Sequence, residues 1–140
     1  MAQKDKTDTQ EIQQKYLELQ LLDEQIKQLQ QQILQMNQQL VNLKTSIDSL
    51  NELKNVKTMS NILVPLGSGV LIGASLNDNT NVLVHVGSDT VIQKTVGEAQ
   101  ETITKQIEEL TQFIEQLDAQ LQRTAYEGEL IQQELQGLLG

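Results

Sequence analysis

The chain has 140 residues, 38% of them hydrophobic but only 2% aromatic, with no cysteine and a net charge of -9. That length suits one domain, yet bulky core-building groups are scarce, so a narrow Leu/Ile seam between helices accounts better for the apolar content than a globular core. Without cysteine there is no disulfide framework and no thiolate metal site.

No apolar run approaches the roughly 20 residues of a membrane span, and the polar start Met1 to Thr9 lacks a signal-peptide core. The expectation is a cytoplasmic protein with no membrane contact. The acid excess is uneven. Residues 1–57 hold seven Lys against eight Asp/Glu, residues 58–96 one Lys against two Asp, and residues 97–140 one Lys and one Arg against nine Asp/Glu. Such a surface repels phosphate backbones, so nucleic acid is not an expected partner. The acidic face reads as a solubilising surface, with a surface for basic clients as the alternative.

In chain order, residues 1–8 read as a tail, and Thr7 with Gln10, or Asp8 with Glu11, offers a capping-box start for a helix. The first arm, 9–57, then alternates apolar spacings of four and three. Ile12, Leu19, Ile26, Ile33, Leu40 and Ile47 fall at heptad position a, and Lys15, Leu22, Leu29, Met36, Leu43 and Leu50 at d. More than five uninterrupted heptads predict a coiled coil about 58 Å long from Ile12 to Leu50. The many glutamines between Gln10 and Gln39 are solvated helix surface, since seam residues interrupt them regularly.

The middle stretch, 61–96, changes period. Ile62 to Leu66, Val70 to Leu76, Val82 to Val86 and Val91 to Lys94 alternate as strands, separated by Gly67-Ser68-Gly69, Asn77 to Asn81 and Gly87-Ser88-Asp89. Val82, Val84 and Val86 share one face, Leu83 and His85 the other. Two small hairpins cannot cover such strands alone, so their edges are expected to seek partners.

The second arm, 97–139, opens with a Thr95/Glu98 capping box. Its seam runs Ile103, Ile107, Leu110, Ile114, Leu117, Leu121, Thr124, Gly128, Ile131, Leu135, Leu138. The arms match in length, so folding back pairs residues whose numbers sum to 150: Leu50 with Gln100, Ile12 with Leu138. The expected fold class is α+β, an antiparallel coiled-coil hairpin with two small β-hairpins at its base and both termini at its tip. A parallel dimer of long helices is the alternative, but it leaves the second arm without a partner. By the same arithmetic Thr124 and Gly128 face Ile26 and Leu22. These small residues either let the helices approach or leave the outer third looser.

Nothing here composes an active site. His85 is the only histidine, with no second imidazole or cysteine to share a metal. Gly67-Ser68-Gly69 lacks the Gly-Lys-Ser/Thr of a phosphate loop, and Ser68 and Ser88 lack a His-acid pair. No cofactor and no enzyme activity are expected. Apolar residues off the seam are the more telling feature, and they gather toward the expected tip: Tyr16, Leu17 and Leu21 at e, f and c of the first arm, Tyr126, Leu130 and Leu139 at f, c and e of the second. A coil gains nothing from leucine at f or c, so the patch points to contact with another molecule. Against this, single surface leucines are ordinary, and Leu34, Val41, Leu53 and Phe113 lie off the seam elsewhere.

Helix, two hairpins, helix, with Leu63-Val64-Pro65-Leu66-Gly67-Ser68-Gly69, Val84-His85-Val86-Gly87 and Ile92-Gln93-Lys94-Thr95, resembles prefoldin, in particular its alpha-type subunits, from about Glu11 to Leu139. Asp89 departs from the small residue common at that turn. The resemblance implies two alpha-type and four beta-type subunits whose hairpins form an oligomeric β-barrel base carrying six coiled coils. It implies a chaperone that works without ATP, captures unfolded proteins at the coil tips and passes them to a group II chaperonin. Val64, Pro65, Leu66, Val70, Ile72, Val82, Val84, Val86, Val91 and Ile92 then become oligomerisation residues. Tyr16, Leu17, Leu21, Tyr126, Leu130, Leu138 and Leu139 become client contacts. The rival expectation is a filament-forming or spacer protein of the same fold.

Overall fold

The computed structural model describes the backbone of residues 2–140 and the side chains of residues 8–140. Its elements are α1 (Ala2–Lys54), β1 (Asn61–Gly67), β2 (Val70–Ser75), β3 (Asn81–His85), β4 (Val91–Thr95) and α2 (Val96–Leu139). Helix α1 starts ahead of the capping pairs at residues 7–11, because the alanine, glutamine and lysines before them are good helix formers. The contacts divide the chain into one unit of residues 1–39 and 110–140 and a second of residues 40–109.

In the first unit α1 and α2 pair antiparallel. Every a and d residue from Ile12 to Met36 and from Leu110 to Leu138 is buried or half-buried, and the most buried are Leu29, Leu117, Thr124 and Leu135. The heptad reading therefore describes the packing residue by residue. Thr124 sits in the seam without an unmet polar group, since its hydroxyl donates to the Gln120 carbonyl one turn back at 2.9 Å. Lys15 donates to Glu134, a pair whose numbers sum to 149.

In the second unit the helices also run antiparallel, with Gln100 Nε2 donating to Asn51 Oδ1 at 2.6 Å. The strands form two separate two-stranded antiparallel sheets, β1 with β2 and β3 with β4. In the first, Leu66 bulges out between the pairs Pro65–Leu71 and Gly67–Val70, and Gly67 takes the positive φ of 113° that the bulge requires. Ser68 and Gly69, both at positive φ, close the hairpin with the twist that suits antiparallel strands. Asp89 adopts φ 58° in the other hairpin loop, a conformation that aspartate tolerates better than most side chains, so its departure from a small residue leaves the turn intact.

Three local devices order the helix ends and the loop between the hairpins. Helix α1 ends in tight i to i-3 bonds from Asn55 and Val56, and Asn79 Nδ2 donates to the Val56 carbonyl at 3.0 Å. The capping box forms as the sequence predicts: Glu98 N donates to Thr95 Oγ1 at 3.1 Å, and that hydroxyl donates to the Glu98 carboxylate at 3.0 Å. Behind the cap, Val96 and Ala99 are the two most buried side chains of this unit.

The third device is Asp78, whose Oδ1 accepts from the amides of Thr80 and Asn81 and whose Oδ2 accepts from Asn81 Nδ2. These donors, the Thr80 amide foremost, hold its carboxyl below the usual aspartate range. A lowered pKa in the folded state stabilises the turn above the unfolded value of about 3.9 and loses that contribution as pH falls through the folded value. In a carboxyl NMR titration Asp78 is expected to protonate below the usual aspartate range, with the amide signals of Thr80 and Asn81 moving at the same midpoint. Asp78→Ala should remove that amide transition.

Candidate functional site

Two surfaces carry the residues singled out from the sequence. The first lies on the helix pair of the first unit. Tyr16, Leu17 and Leu21 on α1 and Tyr126, Leu130 and Leu139 on α2 are all exposed, from 41% at Leu130 to 61% at Leu139. Leu138, a seam residue at d, is half-buried and so is only partly available. Leu17 with Leu21, and Tyr126 with Leu130, are four residues apart. Each pair thus stacks one turn above the other on the outer face of its helix. Their numbers, 17 with 130 and 21 with 126, both sum to 147, three short of the register sum of 150, so the two pairs lie within about one turn of each other along the coil. Around Tyr126, a shallow groove is lined by Gln116, Ala119, Gln122, Arg123 and Glu127.

Not every off-seam apolar residue belongs to this patch. Leu34 and Phe113 are exposed elsewhere on the first unit, and Val41 on the second. Leu53 has a structural role instead: with Leu50, Val82, Val84, Ala99 and Ile103 it lines a groove of about 560 Å³ in the second unit. The hydroxyls of Thr45 and Ser46 at the same groove already donate to the carbonyls of Val41 and Asn42.

The second surface is formed by the hairpins. Of the residues assigned to oligomerisation, Val64, Pro65, Leu66, Val70, Ile72, Val86, Val91 and Ile92 are exposed, whereas Val82 and Val84 are half-buried over the groove. On β1–β2 nearly every side chain is open, including Leu63 and Leu71, and only Ile62 is half-buried. On β3–β4 one face is partly covered by its own unit, while Leu83 on the other is 72% exposed. Apolar hairpins left this bare are unusual on the surface of a monomeric protein.

Lys15 and Glu134 were not assigned a site role from the sequence. Lys15 sits at a d position, and its ammonium is held above the usual lysine range, first by the hydrogen bond to Glu134, then by the charges of Glu134, Glu11 and Glu18, against desolvation. The signal in the sequence is its being the only charge on the first arm's seam. Its partner could be found only by counting heptads on the other arm.

Among the described residues no group of three or more His, Asp or Glu side chains could hold a metal ion, and no helix is long and apolar enough to cross a membrane. His85 is exposed in β3, away from any second imidazole.

Residues 22–140 match the family model of the prefoldin subunit. The prefoldin alpha subunit of Methanococcus aeolicus is 30% identical over 127 residues, covering 91% of this chain and 86% of that protein. That of Archaeoglobus fulgidus is 28% identical over 125 residues, covering 89% and 91%. That of Methanococcoides burtonii is 40% identical over 76 residues, about half of each chain. Among solved structures, the cryo-EM structure of filamentous PFD from Methanocaldococcus jannaschii superposes with a TM-score of 0.76 at 23% identity, covering 85% of this chain and 98% of that one. Two long helices around two bare hairpins, a family model that spans most of the chain and alpha subunits that match along nine-tenths of it place this chain in the prefoldin family, whose members are chaperone subunits working in multi-subunit complexes.

Proposed function

We propose that this chain is an alpha-type subunit of an ATP-independent holdase, assembled from two such chains and four beta-type subunits. Its bare hairpins join those of its neighbours in a β-barrel, and its helix pair captures unfolded proteins for a group II chaperonin in the cytoplasm. The observation that carries the reading is the exposed apolar set Tyr16, Leu17, Leu21, Tyr126, Leu130 and Leu139 on the helix pair of the first unit. Each contact is shallow, so affinity for a client comes from several subunits acting together, which raises the effective concentration without any deep pocket. A second reading, a filament or spacer protein whose hairpins polymerise, is favoured by the filamentous assembly named for the M. jannaschii structure.

One experiment separates them. The full chain and a version limited to residues 22–128 are each mixed with a beta-type partner. The native mass and the suppression of aggregation of a chemically unfolded enzyme are then measured. The holdase reading expects a finite assembly of about six chains for both versions, with suppression lost only in the shortened one. An open-ended mass series containing this chain alone supports the filament, and unchanged suppression after shortening removes the helix-pair assignment.

A further inference from the structure

Every seam position of the first arm from Ile12 to Leu50 is an aliphatic residue or methionine except Lys15. A lysine at d weakens a coil, but with a partner it fixes the register. The partner is Glu134, and theirs is the one ion pair among the described residues. The register places Lys15 level with Leu135, which at 4% exposure is the most buried described side chain of the first unit. The layer that covers its leucine best is thus the layer with a charged residue across from it. The apolar stem of Lys15 is long enough to lie along the seam at this layer while its ammonium reaches Glu134.

That arrangement has a weak point. The Lys15 side chain is 18% exposed, but the Glu134 side chain is 57% exposed, so salt reaches the pair. Glu11 and Glu18 lie about one turn to either side of Lys15 on its own helix and offer the freed ammonium new partners.

We propose that Lys15 and Glu134 form a salt-releasable latch over Leu135 that controls how much apolar surface this part of the coil presents. Engaged, the latch keeps Ile12, Leu19, Leu135 and Leu138 in the seam. Released, it lets the two helix segments part, and these four join Tyr16, Leu17, Tyr126 and Leu130 as contacts for an unfolded chain. The role in capture rests on the reading of the helix pair as the client site, whereas the latch itself does not.

The test is hydrogen exchange on the assembled complex at about 0.1 M and about 1 M sodium chloride, which cuts the screening length from about 10 Å to 3 Å. It compares the native chain with Lys15→Leu, Lys15→Glu and the swap Lys15→Glu with Glu134→Lys. Capture of the unfolded enzyme is measured in parallel. In the native chain, amides 12–19 and 131–138 are expected to exchange several-fold faster at high salt, with no change in those of 26–33. Lys15→Leu should stay protected at both salts, Lys15→Glu should exchange at least about tenfold faster even at low salt, and the swap should restore native behaviour. Capture should rank with exchange: Lys15→Glu above native, native above Lys15→Leu. Equal exchange in the native chain and Lys15→Leu at both salts overturns the latch. Exchange that follows the expected order while capture stays the same across the variants overturns its role in capture. If the native complex captures nothing at either salt, it is the client reading that fails.

Discussion

Leu117→Ala is expected to lower the stability of the first unit by about 3 kcal/mol, whereas Leu34→Ala should change it by less than about 0.5 kcal/mol. The two leucines lie on the paired helices, Leu34 on α1 and Leu117 on α2, and occupy different heptad positions. Leu117 is 6% exposed in the seam, level with Ile33, while Leu34 at position b is 61% exposed. Truncating Leu117 removes its transfer free energy and leaves a gap that two backbones held by flanking layers close only in part. Truncating Leu34 removes surface already in water and puts the best helix former in its place. Thermal unfolding of the complex followed by circular dichroism at 222 nm measures both. Equal effects of the two substitutions would mean that the coil does not pack in the register given by Lys15–Glu134.

The second large effect is functional. Leu17→Gln, Leu21→Gln, Tyr126→Gln and Leu130→Gln together are expected to leave helicity and assembly unchanged and to weaken capture of an unfolded enzyme at least about a hundredfold. Glutamine is a good helix former, and none of the four residues lies in the seam, so the fold has little to lose. A client that covers part of each side chain gains about 1 kcal/mol from it. Four such losses approach 4 kcal/mol, and every 1.4 kcal/mol is tenfold in affinity. Repetition of the subunit in the assembly multiplies the loss. Leu34→Gln with Phe113→Gln is the control, because it removes two exposed apolar residues outside the patch. Fluorescence anisotropy of a labelled unfolded enzyme against each complex gives the affinities. Equal weakening by the control would show that apolar surface anywhere on the coil serves.

Much of this architecture was legible because it is written in local periods. A 4,3 spacing specifies a seam whichever partner fills it, and from Ile12 to Met36 and Leu110 to Leu138 each seam residue is buried or half-buried. Alternating valines and glycine-bearing turns set the four strands to within a residue or two of their observed limits. The Thr95/Glu98 cap was readable because both partners lie within four residues of each other. The helix start was misplaced because a capping pair permits a start without enforcing one when good helix formers precede it.

Composition and period by themselves determined the two helices, the strands, the seam and the off-seam apolar residues, since each depends on neighbours a few positions away along one backbone. The tertiary structure alone decided how side chains meet within the register that the equal arms suggest. It turned Leu53, Val82 and Val84 toward a shared groove and left β1–β2 barer than β3–β4. It also brought Lys15 to Glu134. Such contacts depend on register, and a register is a property of two segments packed together, which no single stretch of sequence contains.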